Sequence, residues 1–249
     1  MICRVEADAG VGVGIDEAQA WEARLGWAFG LIADDPAERA AALRRLDRAR
    51  ANVQDALARY NEVWRSTLPG GGQEKWQDPA FRQAYGRYVE AGRHALPDAL
   101  WNRPAGPVGS WQGLPYALLF LEWEARYPQE WTRHAKAWGT KQGLIRGLAV
   151  AGHDETVRAK LTDLVEIVVR RAYRCKDREY VRVARAVDSE DLRGRLESAA
   201  RSDDPWARRH AGYVLRLLDR PEVPNTVHVW RSWLAARPGT GTGSLVQRG

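Results

Sequence analysis

Between residues 170 and 185 the chain carries Arg170, Arg171, Arg174, Lys176, Arg178, Arg182 and Arg185, with Tyr173 and Tyr180 among them. Arg170, Arg174, Arg178 and Arg182 recur at every fourth position, a spacing that aligns side chains along one side of a helix. Held on one helix, or on two nearly collinear ones, the guanidinium groups form a ribbon suited to a phosphate backbone. The tyrosines would then be placed to stack on bases. The same stripe also fits an ordinary solvated face, because Asp177 and Glu179 interrupt it and can pair with neighbouring arginines.

Carboxylates are the next candidates for chemistry. Glu122 and Glu124 lie in an aromatic, apolar stretch, and burial raises a carboxyl toward the range of a general acid. Two residues apart on a helix they face different sides, so a shared acid/base role is not expected, and Arg126 or Arg133 can neutralise them. His153-Asp154-Glu155 lacks the second histidine of a zinc-peptidase pattern and reads as a helix cap. The five histidines are scattered, with no cysteine at ligand spacing. Gly10-Val11-Gly12-Val13-Gly14 has neither the preceding strand nor the Lys-Ser/Thr ending of a phosphate loop. These residues predict no catalytic group, no metal site and no cofactor.

Tryptophan is the third signal. There are twelve, most of them before residue 140. Trp64 and Trp131 fall on apolar stripes and read as packing, whereas Trp76, Trp101 and Trp111 border loops and are the interface candidates. Trp230 and Trp233 are expected to seal the end of the helical stack.

The elements that must position these groups are helices. The chain has 249 residues with 45% hydrophobic content, sufficient for one large domain or two small ones. A flexible arm is expected over 1–15 and a flexible tail over 237–249. The ending Ser244-Leu245-Val246-Gln247-Arg248-Gly249 also resembles a degenerate protease-site linker, so it is set aside from functional reasoning. Between them, 16–138 reads as a tryptophan-rich helical domain. Asp16 is the expected cap of a first helix, and Pro36 starts a second that runs to about Thr67 and completes a helical hairpin. A third helix starts near Pro79, and a strongly apolar one spans Leu114 to Arg126 and is expected to be buried. The segment 102–109, rich in proline and glycine, is the strongest internal break. From 139 to 236 the punctuation becomes regular, with Asp154, Ser189 and Asp203-Asp204-Pro205 each opening a helix. No strand is needed, so the fold class is all-α.

Asp203-Asp204-Pro205-Trp206-Ala207-Arg208-Arg209-His210-Ala211 resembles the turn and second-helix start of a HEAT repeat, and Asp154-Glu155-Thr156-Val157-Arg158 resembles it less fully. The resemblance covers about a third of the chain, within 139–236, and implies an α-solenoid stack of helix pairs. Such modules bind proteins or nucleic acids more often than they catalyse. The Asp-Pro-Trp-x-Arg-Arg start at 204–209 is also similar to the repeat of HEAT-like alkylpurine DNA glycosylases. Their chemistry depends on an aspartate beside aromatic residues, which no matching motif supplies here.

Bulk charge narrows the partners. The net charge is +6 and the isoelectric point about 9.5, favouring acidic partners, of which nucleic acid is the commonest and anionic membrane the next. Part of this excess fits the arginine bias of a GC-rich bacterial genome, since only five residues are lysine. Cys3 and Cys175 are the only cysteines, which argues against a disulfide framework and for the reducing cytoplasm. Met1 to Asp8 lacks the apolar core of a signal peptide. The most apolar run, Gly113 to Trp123, contains Pro115 and is far shorter than the roughly 20 residues a membrane span needs. The sequence therefore predicts a non-catalytic helical adaptor that holds a protein partner. A basic nucleic-acid-binding or base-excision protein using the Arg170–Arg185 ribbon is the alternative.

Overall fold

The computed structural model describes residues 9–66, 76–101, 103, 108–150 and 152–236. The expected tail at 237–249, the first eight residues of the expected arm and most of the 102–109 break lie outside them. Among the described residues the ordered elements are all helical and no strand occurs. No helix there is long and apolar enough to cross a membrane. The chain divides into two compact units, Met1–Lys141 and Gln142–Gly249.

The first unit opens with α1 (Ala9–Leu25), a 3₁₀ segment (Gly26–Ile32) and the long α2 (Pro36–Ser66). Helix α1 begins upstream of Asp16, so Asp16 lies inside a helix instead of capping it. At Gly30 a Cβ would come within 3.0 Å of the Ala42 Cβ, so the missing side chain is what lets the 3₁₀ segment lie close against α2. Helix α3 (Pro79–Arg93) starts where Asp78 accepts a hydrogen bond from Ala80 N at 2.8 Å and Pro79 occupies a first-turn position that needs no donor. It runs antiparallel to α2: Trp64 meets Phe81, while Tyr60 meets Tyr85 and Tyr88.

Helix α4 (Leu114–Arg126) is buried on nearly every side, as its continuous apolar sequence predicts. Phe120 and Trp123 are sealed from solvent, each contributing about 1.5–3 kcal/mol by burial. Trp131 of α5 (Pro128–His134) packs against Phe120. Helix α6 (Trp138–Leu148) follows, and the division between the units falls within it.

In the second unit α7 (Glu155–Val169) is capped by Asp154, which accepts from Val157 N at 2.8 Å, the role expected for the His153-Asp154-Glu155 cluster. Leu161, Leu164, Val165 and Val168 form its buried stripe. A short 3₁₀ turn (Asp177–Glu179) leads into α8 (Tyr180–Ala186). Ser189 caps α9 (Glu190–Ala200), and Asp204 with Pro205 starts α10 (Pro205–Asp219), whose buried face includes Ala207, Ala211, Val214 and Leu218. Helix α11 (Val227–Ala235) lays Trp230 and Trp233 against Tyr213.

Candidate functional site

The arginines of 170–185 do not share one helix. Helix α7 ends at Val169, residues 172–174 have no regular structure, and Lys176 adopts a left-handed backbone with φ 69°. The fourfold spacing is therefore broken where the chain turns. Arg170 donates to Glu166 Oε1 at 2.8 Å. Arg171 grips Asp177 with two nitrogens, at 2.8 and 3.2 Å, and the same carboxylate accepts Arg174 N at 2.6 Å. Arg182 donates to Glu179 at 2.9 Å, alongside Arg146 and Gln142. Arg178 and Arg185 are aimed at backbone carbonyls, Arg178 at Asn225 O and Arg185 at Leu217 O and Val223 O.

Asp177 and Glu179 are buried, so these contacts neutralise carboxylates that burial would otherwise penalise. Burial alone would raise the Glu179 carboxyl. Hydrogen bonds from Arg146, Gln142 and Arg182 more than offset that and hold it at about 2. The tyrosines are packed as well: Tyr173 stacks on Trp230 at 5.4 Å, and Tyr180 is buried.

The acids of α4 also have partners. Glu124 and Lys141 meet at 2.8 Å with both side chains fully buried, and Arg126 lies 3.4 Å from Glu122. Arg126 is thus the neutraliser expected for Glu122, while Lys141 was not anticipated for Glu124. Among the described residues no group of three or more histidine, cysteine and acidic side chains is arranged to hold a metal ion.

The loop-bordering tryptophans separate into two kinds. Trp111 is buried, edge-on to Trp21 at 5.7 Å, which makes it a core residue. Trp76 is 47% exposed and Trp101 56% exposed, although Trp101 Nε1 donates to Thr140 Oγ1 at 3.1 Å. Trp64, expected to be packed, is 44% exposed; it sits in the last turn of α2 and its ring meets Phe81 at the start of α3.

A site that the sequence did not single out lies along α2 and α3. A groove of about 630 Å³ is lined by Arg24, Arg45, Arg48 and Arg87, with Trp27, Asn52 and His94 between them. None of the four arginines pairs with a described carboxylate. Arg45 lies over the Trp27 ring at 5.5 Å and Arg24 over the Trp21 ring at 5.4 Å. Arg24 Nε is shut off from solvent with no hydrogen-bond partner among the described residues. The one carboxylate in the lining, Glu90, is engaged by His94 at 3.1 Å and Arg93 at 3.3 Å, and its pKa is lowered, chiefly by the His94 hydrogen bond.

Arg24 also lines a second cavity, of about 430 Å³, whose walls include Trp21, Tyr85, Tyr88, Trp101 and Asp98. Burial pushes the Asp98 carboxyl up, against its own backbone hydrogen bond and the nearby Arg50. The signal that points to this region was present in α2, which carries seven arginines against four carboxylates. Arg24 and Arg87 join them only through packing.

No family model matches the chain, and no curated protein or solved structure proves similar to it.

Proposed function

We propose that this chain is a non-catalytic helical binding protein that holds an anionic macromolecular partner on its N-terminal unit. The observation that carries the reading is the set of four arginines around the α2–α3 groove with no carboxylate partner among the described residues. A guanidinium fork left unpaired beside an open groove is matched to carboxylates and phosphates. The arginines of 170–185 differ, being directed at Asp177, Glu179, Glu166 and backbone carbonyls, which supports a cohesive role for them in the second unit. The ion pairs of Glu122 and Glu124 support packing roles for both acids.

In this reading the α9–α10 pair, joined at Ser202-Asp203-Asp204, is one unit of a HEAT-like stack that serves as scaffold, and the protein works in the cytoplasm. Heparin-affinity chromatography tests the charge claim. Arg45→Glu with Arg48→Glu and Arg87→Glu should elute at markedly lower salt than the unaltered chain, whereas equal elution would remove the groove from the account.

A protein partner is the second reading, favoured by the exposed aromatic cluster of Trp64, Trp76 and Tyr85. Tryptophan and tyrosine dominate the energetics of protein interfaces. Binding of that kind would be weakened by Trp76→Ala and would respond little to salt.

A further inference from the structure

We propose that the α2–α3 face binds single-stranded nucleic acid, with phosphates on Arg45, Arg48 and Arg87 and an unpaired base in the cavity walled by Tyr85, Tyr88 and Trp101. The inference rests on the reading of this face as an anion-binding surface and adds the chemical class of the ligand.

Three observations favour nucleic acid. First, Arg45 and Arg48 stand three residues apart on α2, which brings their Cβ atoms to about 5–6 Å, so one run of charges meets both. Arg87 reaches the same groove from α3. Second, the aromatic cavity adjoins that groove through the shared side chain of Arg24. A ligand that places negative charge in the first space and a flat ring in the second satisfies both, and a nucleotide chain alternates those two groups. Third, both volumes fall within the roughly 300–1,000 Å³ of small-ligand sites.

An acidic peptide would satisfy the guanidinium groups but leaves the ring-lined cavity, with the carboxylates Glu17 and Asp98 in its wall, without a matching group. A duplex supplies phosphates but keeps its bases stacked and paired, out of reach of Trp101 and Tyr85. Base–aromatic stacking needs no particular sequence, because every base has a π face. The predicted binding is therefore strand-selective and tolerant of sequence.

Fluorescence anisotropy of the full chain at low salt tests this with four probes of equal length or charge: oligo-deoxythymidine, an abasic phosphodiester strand, a duplex and poly-glutamate. The oligo-deoxythymidine should bind roughly tenfold tighter than the abasic strand, as expected for stacking one base. Trp101→Ala and Tyr85→Ala, both at exposed positions, should reduce it to the abasic level. Trp101→Phe, which loses the contact to Thr140 but keeps a ring, should retain most of the preference.

Equal affinity for the abasic strand overturns the base cavity, and so does tighter binding of the duplex or of poly-glutamate. The anion-binding reading survives these outcomes if binding stays salt-sensitive. Absence of binding to every probe overturns that reading and this inference together.

Discussion

Lys141→Met removes the ammonium that neutralises Glu124. The two groups meet at 2.8 Å, and each side chain has 0% exposure, so the carboxylate left behind has no water to turn to. Removing one partner of such a pair costs about 3–5 kcal/mol, a large part of the roughly 5–15 kcal/mol that holds a typical native protein together. In a chain of this size about 1 kcal/mol shifts the melting temperature by roughly 2–4 °C, so Lys141→Met should melt about 6–20 °C lower. The double change Glu124→Leu with Lys141→Met replaces the pair by apolar groups and should regain most of that loss. Circular dichroism melts and urea titrations of the single and double variants provide the measurement. A single variant within about 1 °C of the unaltered chain would refute the reasoning, as would a double variant less stable than the single.

Acid should act on the second unit at two further places. Burial, the largest cause, lowers the His210 imidazole to about 4, among the rings of Tyr173, Trp206 and Trp230. The unfolded chain, with histidine near 6.5, then binds the proton first. The associated stability is complete above about pH 6.5 and falls as pH drops through 4, by up to about 3 kcal/mol. His210→Phe should flatten the urea midpoint over that window, and an unchanged pH profile would contradict the assignment. The Glu179 carboxyl at about 2 lies below the ordinary value of 4.5, so its contribution is present above pH 4.5 and is lost as pH falls toward 2. Its arginine partners are half-exposed, which reduces the effect to about 1–2 kcal/mol. Glu179→Gln should abolish that part of the acid transition in chemical denaturation, and a transition of the same size in the variant would tell against the network.

Helix boundaries were legible where the sequence carries its own punctuation. Asp78-Pro79 and Asp204-Pro205 each supply a cap acceptor and a residue without a donor, and the structure starts helices there. The unbroken apolar run of 114–126 signalled a buried helix by composition alone. Partners across long separations were not legible. Glu179 is held by Arg146 from 33 residues away, and Arg178 reaches Asn225 across 47, distances that no spacing rule encodes. The regular spacing of 170–182 drew attention to arginines that the structure directs at Glu166, Asp177, Glu179 and backbone carbonyls. The α2–α3 groove assembles from three segments, and only the excess of arginine within α2 hinted at it.

The most direct test of the account is the salt dependence of oligonucleotide affinity. Three arginine–phosphate contacts, at Arg45, Arg48 and Arg87, contributing about 0.7 each, predict a slope of log affinity against log salt near −2 for a single strand. Charge reversal at Arg45, Arg48 and Arg87 should abolish the binding, while Arg170→Ala with Arg182→Ala should leave the slope unchanged. A steep slope lost in the second variant and kept in the first would contradict the account.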